Sequence, residues 1–340
     1  MSLIHIQDLS KHFRILNRRE GIGGAFRDLF SGSYRTVKAV DGISYDIDSG
    51  EIVGYIGPNG AGKSTTIKMM TGILKPTGGT ILVNGRSPYA NRIHQAQVMG
   101  VVFGQRTQLW WDLPVIESFK ILKEIYKVDQ KTFDQHMGLF NELVGLKTLY
   151  TQQVRTLSLG QRMLCDITAS FLHNPQVVFL DEPTIGLDIS IKAKIRTVIK
   201  ELNQTRRTTI ILTTHDLGDV EALCQRIIII DKGKILFDGG IKKVNALFGA
   251  YRTLKVQIDG FSETTRQALQ GKIAECFGAD RGITIAESEE YWTDITIDQA
   301  QTPLSEVLNC VMTAFSVSDV RIVEISMESV VQRVYDGALG

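Results

Sequence analysis

Residues 57–65 read GPNGAGKST and place two glycines, a lysine and a hydroxyl at the spacing G-x-x-x-x-G-K-[ST]. This pattern predicts a phosphate site, because glycines let the backbone turn its N–H groups toward an anion and a helix starting there adds a favourable dipole. Lys63 is expected to reach the β- and γ-phosphate oxygens, and Ser64 to ligate Mg²⁺. The residues predicted to surround the phosphates are Gly57, Asn59, Gly60, Ala61, Gly62, Lys63, Ser64 and Thr65.

Two acids follow an apolar strand pattern further along the chain. Residues 177–182 read VVFLDE, so Asp181 is predicted at the end of a strand and Glu182 one residue beyond it. Asp181 is expected to hold Mg²⁺ through water, and Glu182 to polarise the water that attacks a γ-phosphate. Such a pair is weak evidence alone, but downstream of a phosphate loop, with Pro183 and Thr184 after it, it is strong evidence for this chemistry.

The strands that must position these residues can be predicted from the pattern of apolar residues. Short apolar runs alternate with longer amphipathic segments from residue 3 to about residue 245, which indicates an α/β domain around a largely parallel sheet. The predicted strands are residues 3–6, 52–56, 98–103, 177–180, 210–213 and 227–230. Residues 2–9 and 42–47 are expected to add an antiparallel layer.

The pattern changes after Gly249. Strands are predicted at residues 252–258, 282–286, 290–298 and 319–325, and helices at residues 263–277 and 303–315. Their order, βαββαβ, is that of a ferredoxin-like α+β domain, and a short helix over residues 327–336 is expected to follow. We therefore predict two domains, one over residues 1–245 and a small accessory or dimerisation domain over residues 250–340.

Composition excludes several other classes of protein. The chain has 340 residues and a net charge of +1, which gives no general attraction to nucleic acid. No apolar run has the ~18–20 residues that span a bilayer, so a cytosolic location is expected. The cysteines are widely spaced and are predicted to be buried or incidental thiols of a reducing compartment rather than metal ligands: Cys165, Cys224, Cys276 and Cys310.

The order of the motifs resembles that of the nucleotide-binding subunits of ATP-binding cassette (ABC) transporters, over about residues 3–240. GPNGAGKST is followed by FGQ, then by LSLGQ ahead of FLDEPT, then by GLD and TTHD. LSLGQ is the most specific of these segments, because most other phosphate-loop enzymes lack it. The resemblance implies an ABC-type P-loop ATPase with a RecA-like core, an antiparallel β layer and a helical subdomain at about residues 106–170.

The resemblance also implies ATP and Mg²⁺ as cofactors, with ATP held between two copies of the chain. Gln105 would contact Mg²⁺ and the attacking water, His215 the γ-phosphate, and Asp188 would link the two sites. The signature segment would reach the ATP of the opposite copy through Ser158, Gly160 and Gln161. Adenine would stack on Phe13 or, as an alternative, on Tyr34. Phe13 is favoured because the family's aromatic residue follows the first strand.

The signature segment departs from the usual LSGGQ by carrying Leu159 in place of glycine. Its chemistry needs the hydroxyl of Ser158 and the closely approaching backbone of Gly160, and both are present. A side chain at position 159 can point away from the phosphate if the backbone there avoids glycine-only conformations. We therefore expect Leu159 to mark a subfamily that retains hydrolysis.

Two segments are candidates for contact with a membrane or a membrane protein. Trp110, Trp111, Leu113 and Phe119 follow Gln105 and would supply an apolar socket for a membrane subunit, although Phe119 is expected to pack within the helical subdomain instead. Residues 14–38 form an insertion, in which residues 20–31 predict a basic amphipathic helix. That helix suits a membrane surface or a partner's groove, or it docks on its own domain.

Together these features predict the ATPase subunit of an ABC-2 type exporter, a homodimer bound to two membrane permease subunits at the cytoplasmic face of the inner membrane. The insertion resembles one in exporters of polysaccharides, so a polysaccharide or lipid-linked polymer is the expected substrate. A small drug or lipid is the alternative. A second hypothesis is an ABC-type ATPase that moves no solute and recruits partners through residues 250–340.

Overall fold

Two compact units make up the chain, residues Met1–Gly239 and Gly240–Gly340. The computed structural model describes residues 2–16, 34–104, 106–214, 216–241, 243, 251–258, 263–278, 281–287 and 292–324. Gln105, His215 and the helices predicted at residues 20–31 and 327–336 lie outside the described residues.

In chain order, the elements of the first unit are β1 (Ser2–Leu16), β2 (Tyr34–Asp48), β3 (Ile52–Ile56), α1 (Lys63–Met70), β4 (Gly78–Val83), α2 (Arg92–Val98), β5 (Met99–Phe103), α3 (Val115–Tyr126), α4 (Gln130–Val144), α5 (Leu159–Ser170), β6 (Val177–Asp181), α6 (Ile189–Arg206), β7 (Thr209–Thr213), α7 (Leu217–Leu223), β8 (Arg226–Asp231) and β9 (Lys234–Gly240).

A six-stranded sheet in the order β5-β6-β7-β3-β8-β9 forms the centre of this unit. The pairs from β5 through β8 are all parallel. Runs such as residues 52–56 and 209–213 are buried at every position, because both faces of the parallel sheet are covered by other elements. The predicted parallel α/β core is therefore confirmed.

A second, antiparallel sheet has the order β2-β1-β4. Its apolar face shares one core with the central sheet and α1, in which Ile4, Ile47 and Met69 are fully buried. Both long strands extend further than the sequence pattern predicts. Pairing continues to Leu16 opposite Tyr34, so both ends of the segment predicted as an insertion are paired strand.

Helices α3, α4 and α5 lie between β5 and β6, together with two short 3₁₀ turns, Leu146–Leu149 and Val154–Thr156. Asp129 begins α4 by accepting a hydrogen bond from the backbone N–H of Thr132 at 3.0 Å. Phe119 of α3 and Phe140 of α4 are fully buried. Phe119 therefore packs within this subdomain and belongs to no surface socket.

No helix in the part of the chain that the structure describes combines the length and apolar character needed to cross a bilayer.

The second unit consists of β10 (Tyr251–Ile258), α8 (Glu263–Phe277), β11 (Ile283–Glu287), β12 (Trp292–Asp298), α9 (Leu304–Ala314) and β13 (Val317–Glu324). Its sheet is antiparallel in the order β11-β12-β10-β13. One face of the sheet, with Leu254 and Ile295, packs against Leu269 of α8 and Val307 of α9. This arrangement confirms the predicted βαββαβ order and its ferredoxin-like character.

Candidate active site

The phosphate loop joins β3 to α1, and two of its glycines are required by close contacts. A Cβ atom added to Gly57 would lie 2.4 Å from the carbonyl oxygen of Ile230, and one added to Gly62 would lie 2.4 Å from that of Ala39. Gly62 also has a left-handed φ of 111° directly before the first turn of α1. The loop therefore presents backbone at the start of the helix, as an anion site needs.

Lys63 is nearly buried, with 7% of its surface exposed. Its ammonium group donates to the carbonyl oxygens of Gly57 at 2.6 Å and Pro58 at 3.1 Å, so it curls back over its own loop. Burial lowers the pKa of Lys63, while the carboxylates of Glu182 and Asp181 raise it. Phosphate oxygens would be stronger partners for this cation than the two carbonyls, so the loop suits a nucleotide.

Ser64 and Asp181 lie side by side where β6 ends. The Ser64 hydroxyl donates to Oδ1 of Asp181 at 3.4 Å, and the Thr213 hydroxyl donates to the same oxygen at 2.5 Å. Mg²⁺ prefers oxygen ligands and is usually held by one or two carboxylates plus substrate phosphates and water. A hydroxyl and one carboxylate beside a phosphate loop fit that preference, so these residues suit Mg²⁺ bound together with a nucleotide.

Glu182 has a left-handed backbone, with a φ of 53°. Its N–H donates to the carbonyl oxygen of Thr213 at 3.0 Å and to the Thr213 hydroxyl at 3.1 Å. A non-glycine residue in this conformation costs of order 1–3 kcal/mol and is kept where the surroundings impose it, often at functional sites. The turn after β6 thus holds Glu182 at the same edge of the sheet as Lys63.

Gln105 and His215 lie outside the described residues, and their roles stay predictions. Their chain neighbours are at the same edge of the sheet. The N–H of Gly104 donates to the carbonyl oxygen of Asp181 at 2.9 Å. Thr214 directly follows β7, and its hydroxyl accepts from the N–H of Asp216 at 2.9 Å.

Ser158 caps the N-terminus of α5 in a reciprocal capping box. Its hydroxyl oxygen accepts from the N–H of Gln161 at 3.2 Å, and the Gln161 side-chain oxygen accepts from the N–H of Ser158 at 3.0 Å. Leu159 is the first residue of the helix and is not among the residues with a left-handed backbone. A Cβ added to Gly186 would lie 3.7 Å from Cδ2 of Leu159, so the leucine side chain lies over the turn before α6. Position 159 therefore needs no glycine for its backbone.

Gly160, in contrast, has no room for a side chain. An added Cβ would lie 2.9 Å from Cγ2 of Ile191, in the first turn of α6. Asp188 caps that helix by accepting from the N–H of Ile191 at 2.9 Å. The start of α5 is thus packed directly against the start of α6.

Phe13 and Tyr34 differ in their distance from the phosphate loop. Phe13 pairs with Val37, two positions before Ala39, whereas Tyr34 pairs with Leu16, five positions before Ala39. At ~3.3 Å per residue these offsets are about 7 Å and about 17 Å. Phe13 is 37% exposed, and the Lys11 ammonium lies 5.3 Å from its ring centroid. Position along the hairpin favours Phe13 for stacking on adenine.

Asp166 is a functional candidate that sequence reasoning missed. It is buried in α5 and accepts from the Thr107 hydroxyl at 2.8 Å and from the Gln108 N–H at 3.0 Å. Burial raises the pKa of Asp166 to about 6, against the lowering effect of these two hydrogen bonds. Asp166 ties the signature helix to the segment just after Gln105. An acid within the apolar run of α5 was the signal in the sequence.

Comparisons with known proteins bear on the family and the fold of this chain. The ABC transporter family matches residues 40–185. The ABC transporter ATP-binding protein NatA of Bacillus subtilis is 30% identical over 215 residues, which cover 63% of this chain and 87% of that protein. The chain spans 26% of the length of two longer relatives from Dictyostelium discoideum.

Two solved structures show the fold. The protein cbiO1 of Clostridium perfringens, described as part of the ABC transporter complex cbiONQ, is 26% identical, with a TM-score of 0.58 over 72% of this chain and 91% of that one. The ATP-binding cassette MJ0796, in a dimeric post-hydrolysis state bound to ADP and Pi, is 21% identical. Its TM-score is 0.58 over 70% of this chain and 98% of that one.

The raised pKa of Asp166 predicts a pH-dependent contribution to stability. Because its folded pKa of about 6 exceeds the ordinary 3.8, the folded state binds the proton more tightly, and stability falls as pH rises from about 4 to about 6. Asp166→Asn should remove this component, which is roughly 3 kcal/mol over that range. Urea denaturation of both proteins at several pH values measures it. A difference between them that does not change with pH would contradict the assignment.

Proposed function

The chain belongs to the ATP-binding proteins of ABC transporters, and we propose that it powers an ABC-2 type exporter as a homodimer that closes around ATP. It has the ABC-type P-loop ATPase fold and is an ATPase. The main support for the proposal is that the phosphate-loop residues Lys63 and Ser64 lie beside Asp181 and Glu182 at one edge of the sheet.

The proposed chemistry assigns each of these groups a task. Lys63 would exchange its contacts with Gly57 and Pro58 for phosphate oxygens when ATP enters. Ser64 and Asp181, with Gln105, would hold Mg²⁺, which neutralises charge on the β- and γ-phosphates. Glu182 would accept a proton from the attacking water.

Two further residues complete the proposed site. His215 would contact the γ-phosphate, and Asp188 would link the two sites of the dimer. Phe13 would stack on adenine, and the ammonium of Lys11 lies 5.3 Å from the centroid of the Phe13 ring.

A dimer is supported by the surroundings of the signature segment. The contacts described for Ser158, Leu159 and Gly160 are with their own helix, with α6 and with the turn before it. Ser158 is exposed, so its hydroxyl is accessible to a second copy of the chain. We propose that Ser158, Gly160 and Gln161 contact ATP bound to the phosphate loop of that copy.

The proposed contact with a membrane subunit is carried by Trp110 and Trp111, which are 38% and 50% exposed. The backbone N–H of Trp110 donates to the hydroxyl of the buried Ser118 at 3.2 Å, which fixes the loop on α3. The Arg162 guanidinium stacks on the Trp111 ring at 5.2 Å. Adjacent exposed tryptophans on a fixed loop suit a partner's apolar helix, because large aromatic residues dominate the energy of interfaces.

We propose a peripheral location at the cytoplasmic face of the inner membrane, where residues 20–31 would touch the membrane surface. A polysaccharide or lipid-linked polymer is the proposed substrate, on the strength of the insertion that contains those residues, with a small drug or lipid as the alternative. Residues 250–340 are proposed to support the dimer.

Replacing Glu182 by glutamine tests the catalytic assignment. Glu182→Gln should bind ATP but hydrolyse it at least about 100-fold more slowly, because the amide cannot accept the proton of water. With ATP present, the variant should sediment as a dimer in analytical ultracentrifugation. Glu221→Gln, which changes an exposed carboxylate on α7, is the matched control and should retain the wild-type rate. Turnover at the wild-type rate by Glu182→Gln would refute the assignment.

The two positions at the centre of the signature segment should respond differently to substitution. Gly160→Ala should lower the ATPase rate, because its Cβ displaces the start of α5 from Ile191, and a second change, Ile191→Ala, should restore part of it. Leu159→Gly should change the rate by no more than about twofold while lowering helix stability by about 1 kcal/mol. A large gain in rate for Leu159→Gly would show that the leucine impairs the site.

Trp111→Ala tests the docking surface. Truncating an interface tryptophan costs about 2 kcal/mol or more, roughly a 30-fold loss of affinity, so the variant should no longer co-purify with a multi-span membrane protein from detergent-solubilised membranes. Its ATPase rate in isolation should stay near wild type. Ile73→Ala, which removes an exposed apolar side chain after α1, is the control. Unchanged co-purification of the Trp111 variant would remove this surface from the proposal.

A further inference from the structure

The fold of the second unit brings together two cysteines that are 34 residues apart in sequence. Cys276 lies in the last turn of α8, Cys310 lies in α9, and their sulfur atoms are 2.8 Å apart. This distance is shorter than an ordinary contact between two sulfur atoms. The sequence-based expectation of buried or incidental thiols does not describe this pair, because their proximity arises only when the two helices pack on one sheet.

An open cavity of about 820 Å³ gives small solutes access to the pair. Both cysteines line it, together with Lys272 and Phe277 of α8 and Asn309 of α9. Cys276 is exposed and Cys310 is half-buried. Cys276 is therefore the more accessible of the two cysteines to a molecule in the cavity.

The two thiols have different roles within the pair. The Cys310 thiol donates its hydrogen to the sulfur of Cys276. Burial and this hydrogen bond raise the pKa of Cys310 to about 11, although the Lys272 ammonium acts in the opposite direction. Cys310 therefore keeps its proton, and Cys276 is the more accessible member of the pair.

The remaining two cysteines provide an internal contrast. Cys165 and Cys224 are buried in the first unit, and burial raises the pKa of each thiol to about 12. Such thiols form little thiolate and meet no solute, so they are inert under native conditions.

We propose that Cys276 and Cys310 form a reversible oxidation site that reacts with a small disulfide of the glutathione class and closes to an intrachain disulfide between α8 and α9. The thiolate of Cys276 attacks one sulfur of the oxidant, forming a mixed disulfide and releasing one thiolate. That thiolate takes the proton of Cys310. The sulfur of Cys310 then attacks Cys276, forms the intrachain bond and releases a second thiolate, which takes up the proton that Cys276 lost when it ionised. One disulfide and two protein thiols yield one protein disulfide and two small thiols.

The first test treats the intact native chain with oxidised glutathione, followed by denaturation, alkylation and peptide mass spectrometry. Two of the four cysteines should become resistant to alkylation, and a peptide should link residues 276 and 310. Reduced glutathione in excess should restore both thiols. Absence of the linked peptide, or a stable glutathione adduct on the wild-type chain, would overturn the proposal.

Two single variants test the assigned order of attack. Cys310→Ser should stop at a mixed disulfide with one glutathione on Cys276, because no second thiol completes the exchange. Cys276→Ser should react at least about tenfold more slowly than wild type, since only the half-buried, protonated Cys310 remains. Equal rates for Cys276→Ser and wild type would show that Cys276 is not the attacking thiol. A circular dichroism spectrum like that of the wild type checks that each variant is folded.

Discussion

Thr213 connects the two acids of the proposed active site, Asp181 and Glu182. Its hydroxyl donates to Asp181, and its carbonyl oxygen accepts from the N–H of Glu182. Because β7 lies between β3 and β6, this one residue fixes both acids relative to the strand that leads into the phosphate loop. Parallel pairing brings the carboxyl ends of those strands to one edge, where the loop, the acids and the turns after β5 and β7 all begin.

Local sequence pattern predicted the parts of the fold that depend on local chemistry. The phosphate loop, the acids after β6 and the βαββαβ order of the second unit follow from residue spacing alone. The extent of β1 and β2 did not, because Leu16 and Tyr34 are held in strand by each other across the hairpin and not by an apolar period. Asp166 and the Cys276–Cys310 pair depend on contacts between distant segments, which no local pattern contains.

The structure also explains how a leucine fits at position 159 of the signature segment. Packing constrains residues 159 and 160 of LSLGQ to different extents. Leu159 occupies an ordinary first helical position with its side chain over the turn at Gly186, while Gly160 faces Ile191 with no space for a methyl group. A glycine at position 159 would add backbone freedom without relieving any contact. The sequence departs from the common pattern only where the packing permits it.

The stack of Arg162 on Trp111 places the surface loop very near the signature segment. Arg162 lies four residues after Ser158, which at 1.5 Å per residue is about 6 Å along α5. Asp166, one further turn along, anchors the same helix to the segment beyond Gln105. The path from Trp111 to Ser158 therefore runs through Arg162 and about one turn of α5, and it includes no residue of the central sheet.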